Sequence, residues 1–348
     1  MKAVTVSPRK AGSLRVEEID EPRVGRDDLL VEGLAMGVCG TDRELARGAY
    51  GWAPPGRERL VIGHESLGHV IEAPTGSGFS PGELVVGVVR RPDPVPCPHC
   101  AIGEWDMCCN GEYTERGIKA LDGYGARRYV LEASFAVHLD PSLGGIGVLL
   151  EPTSVVAKAW EHVDRIGRRA LWEPKCALVT GAGPVGLLAA LLGVQRGLEV
   201  HVFDRATVGP KPSLVKALGA HYHVGRLEDA GPSPDVLLEC TGASELVLGG
   251  IDRLGPGAVM CLTGISSGAR ATTVELEMVN RKIVLDNAVV FGSVNANLRH
   301  YQAAGEALRR ADPAWLGGLI TRRVAVTDLA SAFERQRDDV KVVIDFQK

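Results

Sequence analysis

Three short segments of the sequence carry residue types that a metal would select: Cys39-Gly40-Thr41-Asp42, Gly63-His64-Glu65 with Gly68 after it, and Glu151-Pro152. A thiolate, an imidazole and a carboxylate together suit a tetrahedral Zn²⁺ that keeps a fourth position open for water or substrate, as a catalytic zinc requires. Each residue also has an ordinary reading of its own. Cys39 reads equally as a small buried side chain, His64 as a hydrogen-bonded core histidine and Glu151 as an acid at a helix N-terminus. The case for a metal rests on their combination with a second site further along the chain.

That second site is Gly181-Ala182-Gly183-Pro184-Val185-Gly186, a G-x-G-x-x-G between a short apolar run and a helical pattern. In such a loop the first glycine allows a sharp turn, the second removes a side chain where a pyrophosphate approaches, and the third lets helix and strand pack closely. The helix opened by Pro184 and Val185 offers free N–H groups and a partial positive charge to phosphate. Asp204 ends the next apolar run, where an acid accepts hydrogen bonds from ribose hydroxyls, and its charge favours NAD over NADP. Arg205 and, downstream, Lys211 would instead pair with a 2′-phosphate, or belong to a solvated loop. Thr241-Gly242 and Gly264 follow later strands at the end where open parallel sheets bind ligands; turn chemistry accounts for them as well.

The elements that must hold these residues are of two kinds. Up to about residue 150, short β-rich runs at 29–33, 60–62, 68–72, 83–89 and 128–131 are broken by Gly and Pro, the pattern of an irregular antiparallel lobe. A helical stretch from Glu151 then leads into strands at 177–180, 199–203, 235–239 and 258–262, with helices at 185–196, 212–218 and 246–254 between them. That alternation implies a doubly wound parallel α/β sheet. A last strand is expected at 289–294. The segment beyond it, with helices at 300–309 and 328–337 and a strand at 340–346, is too short for a core of its own and is expected to pack on the first lobe. The expected domains are 1–155 with 296–348, and 156–295.

At 348 residues the chain exceeds the usual span of one hydrophobic core. Its 43 glycines are roughly an eighth of the residues, nearly twice the usual share, yet they follow no period and no low-complexity run. A net charge of −4 without any basic cluster argues against a nucleic-acid partner. The absence of an apolar N-terminal region or a run of bilayer length points to a cytoplasmic protein with no membrane contact. Eight cysteines, four of them crowded between Cys97 and Cys109, read as reduced thiols and a possible metal site rather than a disulfide scaffold. Cys176, Cys240 and Cys261 fall in expected core strands as small buried side chains.

Together, C-G-T-D at Cys39, G-H-E-x-x-G at Gly63 and the fingerprint at Gly181 resemble the zinc-dependent medium-chain dehydrogenase/reductase superfamily over essentially the whole chain. Within it, Met1 to Val4, Cys39 to Glu44, Arg90-Arg91-Pro92, Glu115-Arg116-Gly117-Ile118 and Glu151-Pro152 are most similar to the glucose 1-dehydrogenases of archaea and their bacterial relatives. The resemblance implies a GroES-like β lobe plus a Rossmann domain. It also implies a catalytic zinc on Cys39, His64 and Glu151, with Glu65 as an alternative ligand and Thr41 relaying the substrate proton. A lobe zinc is implied too. Cys97, Cys100 and Cys108 match the last three positions of the family's C-x-x-C-x-x-C-x7-C, but Pro94 stands at the first, so a fourth ligand would have to come from Asp93, His99, Cys109 or elsewhere in the chain. A homodimer or homotetramer is implied, with a subunit contact at 289–294.

The implied activity is oxidation of a sugar or polyol hydroxyl by NAD or NADP, glucose to gluconolactone being the first named reaction. Glu115, Glu151, Asn295 and Thr41 are the candidate substrate contacts, with His300 beside them; Glu115, Asn295 and His300 read equally as solvated side chains. Glucose-active relatives carry a polar residue before the paired arginines and an acid after the Glu-Pro pair. Val89 and Val155 stand there, which suits a deoxy or amino sugar or a less polar secondary alcohol. A non-catalytic nucleotide-binding protein is the alternative of another class; it would have no use for an open zinc position.

Overall fold

The segment Asp28–Val38 alternates buried and half-buried residues up to Ala35 and is buried on both faces from there to Val38, as a strand does that enters the middle of a sheet. It is the centre of a seven-stranded sheet in the order Ala136–His138, Leu84–Gly87, Glu65–Glu72, Asp28–Val38, Lys341–Asp345 and Ile320–Ala325, with Arg128–Glu132 also paired to the central strand. Pairing is antiparallel throughout except between Ile320–Ala325 and Lys341–Asp345. One face covers a cluster that includes Val4, Met36, Leu60, Ile62, Val342 and Ile344; another cluster gathers Leu29, Val31, Val70, Val85 and Leu131. The computed structural model describes residues 1–266 and 273–348. It separates them into two units, Met1–Ser154 with Asn295–Lys348, and Val155–Val294.

The second unit is built on six parallel strands in the order His221–His223, Glu199–Phe203, Cys176–Thr180, Val236–Glu239, Val259–Leu262 and Val289–Gly292. Counted along the chain this is 3-2-1-4-5-6, the order of a dinucleotide-binding doubly wound sheet. The helix Pro184–Gln195 is apolar on all sides, and its residues from Gly186 to Gly193 are buried, so it lies within the core. Trp160 donates its indole N–H to the Ala189 carbonyl at 3.2 Å and so ties the helix Leu150–Gly167 to it.

Several elements depart from the sequence pattern. The third strand, His221–His223, is a three-residue edge strand of two histidines and a tyrosine and carries no apolar alternation. Helices Leu276–Leu285 and Pro313–Leu319 are additional to those expected. The helix expected at 328–337 is confined to Leu329–Phe333, because Asp339 accepts a hydrogen bond from the Gln336 amide at 2.8 Å and pairs with Arg322, which gives the following residues a turn in place of a helix. Cys240 stands one residue past the end of its strand and is half-buried, whereas Cys176 and Cys261 are buried within theirs.

Candidate functional site

Cys39 caps the helix Gly40–Ala46. Its sulfur accepts from the Thr41 amide at 3.2 Å, and Asp42, three residues on, accepts from the Cys39 amide at 2.9 Å, closing a capping box. The helix N-terminus therefore points its unpaired amides at the thiol. His64 follows Gly63, whose φ of +98° is open to glycine at low cost and turns the chain so that the imidazole meets the cysteine. His64 Nε2 lies 3.0 Å from Cys39 Sγ, and His64 Nδ1 lies 3.4 Å from Asp42 Oδ1. A ring oriented by a carboxylate on one nitrogen, with its other nitrogen facing a thiol, is arranged as metal-bound histidines are.

Glu65 opens the strand Glu65–Glu72 opposite Gly37 of the central strand. A Cβ on Gly37 would overlap the Glu65 carboxylate, so the glycine leaves a path across the central strand. Through it Glu65 reaches Lys341 on the strand beyond, whose Nζ donates to Glu65 Oε1 at 2.6 Å. Both side chains are fully enclosed. The ligand atoms of Cys39, His64 and Glu65 all lie within 4.8 Å of one another. Glu151, the second residue of Leu150–Gly167, is buried and couples electrostatically to His64 and Glu65, but it is not part of that three-residue group.

The electrostatics fit a site built for a cation. Burial alone would lower the pKa of His64, yet the Cys39 and Asp42 charges on either side of the ring raise it well above its usual value. Burial opposes ionisation of Asp42, but His64, the Cys39 amide and Lys341 hold its carboxyl below the ordinary range. Burial pushes Glu151 up to about 7, with His64 drawing it down and Glu65 adding to the rise. Soft sulfur, borderline nitrogen and hard oxygen gathered in one enclosed place match the donor set of a zinc centre.

Two substrate candidates meet directly. Asn295 Nδ2 donates to Glu115 Oε1 at 3.0 Å, and Arg90 donates to the same oxygen through Nε at 3.0 Å and Nη2 at 2.9 Å. Asn295 holds a φ of +60°, an uncommon backbone for a non-glycine residue. His300 serves as the third residue of the next helix, its Nδ1 accepting from the Asn297 amide at 3.1 Å. Val89 is enclosed and presents nothing to a ligand, and Val155 is half-buried.

Cys97, Cys100 and Cys108 form a second group with ligand atoms within 4.8 Å of one another. Cys97 caps a short helix and accepts from the Cys100 amide at 3.5 Å; amides of Cys100 and Cys109 bring its thiol down to about 6. None of the three residues that could complete the set belongs to the group: buried Asp93 directs its amide at the Cys100 sulfur, and the Cys109 thiol meets the Cys97 sulfur.

In the second unit, Gly181 has a φ of +94° and donates to the Phe203 carbonyl at 2.7 Å. Gly183 caps the helix with Pro184 as its first residue and Val185 next, and a Cβ at 183 would meet open space. A Cβ on Gly186 would overlap the Gly181 carbonyl, so close helix packing depends on its absence. Asp204 accepts from the amides of Ala182 at 2.7 Å and Ala206 at 2.9 Å, and Lys211 pairs with it at 3.0 Å, whereas Arg205 is exposed. With Lys211 offsetting its charge, Asp204 no longer decides between NAD and NADP. The residue that sequence pattern missed is Glu239. Fully enclosed at the strand end, it accepts from the amides of Thr241 at 2.8 Å and Gly242 at 3.0 Å, and its own carbonyl holds Gly264 at 3.0 Å. Lys341 was missed likewise, although a lone lysine within an apolar run was its signal.

Residues 25–141 match the family described as the alcohol dehydrogenase GroES-like domain, and residues 144–346 match the glucose dehydrogenase C-terminus. Glucose 1-dehydrogenases of Methanocella arvoryzae and Thermoproteus tenax are 38% and 39% identical to this chain, covering 99% and 100% of both sequences. Among solved structures, Haloferax mediterranei glucose dehydrogenase in complex with NADP, Zn and gluconolactone superposes over 100% of both chains with a TM-score of 0.92 at 30% identity.

Proposed function

Since the chain belongs to the zinc-dependent medium-chain dehydrogenases, in their glucose dehydrogenase branch, we propose that it oxidises the C1 hydroxyl of glucose or a close relative to the lactone, with NAD or NADP as hydride acceptor. The observation that carries this reading is the convergence of Cys39, His64 and Glu65 in one enclosed place, with buried Glu151 coupled electrostatically to His64 and Glu65. Cys39, His64 and Glu151 would hold the zinc, with Glu65 exchanging into the set. When bound, zinc supplies Lewis-acid polarisation that brings the pKa of an alcohol toward neutrality.

The chain's own residues do the rest. Asp42 fixes the His64 ring, and Lys341 fixes Glu65. The Thr41 hydroxyl passes the substrate's hydroxyl proton toward solvent, while Glu115 and Asn295 read sugar hydroxyls. Bound NAD or NADP would supply the acceptor for the hydrogen that leaves C1 with its electron pair, which balances the oxidation. Gly181, Gly183 and Gly186 would shape the pyrophosphate loop, and Asp204, Arg205, Thr241 and Gly264 would border a bound dinucleotide. Retention of Val89 and Val155 keeps a deoxy or amino sugar as a second reading.

Among the described residues no helix is long and apolar enough to cross a membrane. The edge strand Val289–Gly292, with exposed Leu276, Met278, Val284 and Leu285 on the preceding helix, supports a homo-oligomer contact of the kind the family implies.

The test is a panel of glucose, galactose, 2-deoxyglucose, glucosamine and secondary alcohols with NAD and NADP, read at the nicotinamide absorbance and paired with zinc analysis. Highest kcat/KM on glucose supports the first reading, and a preference for a deoxy or amino sugar supports the second. No turnover and no zinc would leave a nucleotide-binding protein without catalysis.

A further inference from the structure

A third cluster of metal-ligating side chains lies on the parallel sheet of the second unit, in residues that the dehydrogenase reading does not use. In the parallel register His201 of Glu199–Phe203 stands directly beside His221 of the edge strand. Glu199 and His201 are two residues apart and share a face, as do His221 and His223. His201 Nε2 lies 3.0 Å from Glu199 Oε1, His221 Nε2 lies 3.8 Å from the same oxygen, and His201 Nδ1 lies 2.8 Å from His223 Nε2. The ligand atoms of Glu199, His201 and His221 fall within 4.8 Å of one another.

We propose that Glu199, His201 and His221 form a binding site for a divalent transition metal of the Zn²⁺ class, with His223 as the partner that orients His201. Two imidazole nitrogens and one carboxylate oxygen are the donors that such an ion prefers, and the remaining positions go to water. His201 is enclosed and held in place. Its ring fills the space that a side chain on Gly231 would take, and it lies nearly parallel to both neighbouring histidines, 4.9 Å from His221 and 5.0 Å from His223. When His201 donates Nδ1–H to His223, its Nε2 lone pair faces the Glu199 oxygen, and a cation bound to both atoms relieves that opposition.

The consequence is a clasp between two parallel strands. The edge strand that it secures is the one whose His223 carbonyl receives the Asp204 amide at 3.1 Å. Zinc chloride titrated into dialysed, zinc-loaded enzyme, followed by calorimetry, is expected to show one Zn²⁺ per chain beyond those already retained. His221→Ala and Glu199→Gln alter exposed side chains, with 59% and 56% of their surface accessible, so the fold is kept. Each is expected to weaken this uptake roughly tenfold or more, while zinc retained on dialysis is unchanged. His138→Ala, which removes an exposed histidine 3.6 Å from Glu83, is expected to leave it intact. No additional uptake by the parent enzyme, uptake undiminished in His221→Ala and Glu199→Gln, or uptake lost in His138→Ala would overturn the proposal. None of these readings depends on which sugar the enzyme oxidises.

Discussion

Replacing Lys341 by methionine tests the electrostatic core of the lobe. Lys341 and Glu65 are both fully enclosed, and the ammonium contacts the carboxylate and, at 3.5 Å, the Val38 carbonyl. Methionine keeps most of the volume but leaves Glu65 as a buried charge without its cation. Breaking a buried pair in this way costs about 3–5 kcal/mol. For a unit of this size about 2–4 °C of melting temperature is lost per kcal/mol, so the lobe's transition should fall by roughly 6–20 °C. The loss should be smaller in zinc-loaded protein, because the metal offsets part of the unpaired Glu65 charge, and larger after chelation. Differential scanning calorimetry on both forms gives the comparison, and Lys341→Met with Glu65→Gln should recover at least half of the loss, since no charge is then stranded. A melting temperature within about 2 °C of the parent in the chelated single variant, or a double variant less stable than the single, would refute this account of the pair.

Asp42→Asn should weaken zinc affinity roughly 10–100-fold, measured by competition with a chromophoric chelator, because the His64 ring loses its charged orienting partner. Gly186→Ala should destabilise the second unit by about 1–3 kcal/mol and raise the KM for the nicotinamide cofactor, as the added methyl overlaps the Gly181 carbonyl; unchanged melting and KM would contradict the packing role. Burial works against ionisation of Glu132, but Arg91 and Arg116 hold its carboxyl down at about 2. Its folded pKa is below the unfolded value near 4.5, so its contribution is complete above that pH and disappears as pH falls toward 2. Acid unfolding of Glu132→Gln should therefore depend less steeply on pH across that window than the parent. Cys100→Ser should lower the metal content by up to one zinc per chain without changing the residues of the catalytic centre, and equal metal content would remove the lobe-zinc proposal.

The parallel sheet was legible because its central strands, such as Cys176–Thr180 and Val236–Glu239, are continuous apolar runs buried on both faces. The edge strand His221–His223 was not, since an edge strand needs little apolar surface and its histidines imitate a loop. The metal candidates were legible by type, but their arrangement was not. Sequence ranked Glu151 before Glu65, and in the fold Glu65 joins the compact group because Gly37 opens a path across the central strand. No spacing rule shows such a path, for it depends on three strands brought together from residues 37, 65 and 341. Likewise, Asp204 was legible as a strand-end acid, but its partnership with Lys211 depends on how the following loop turns back.

The strand order of the lobe also sets a timetable for biosynthesis. Lys341–Asp345 lies inside the seven-stranded sheet beside Asp28–Val38, while the second unit is one uninterrupted stretch of chain. At ordinary translation rates of 5–20 residues per second, Lys341 is made roughly 15–60 s after Cys39. Throughout that interval the central strand has an open edge and Glu65 has no counter-ion, whereas the parallel sheet can already assemble on the nascent chain. A ribosome stalled before Val340 would thus present a finished nucleotide-binding fold together with an unfinished, aggregation-prone one.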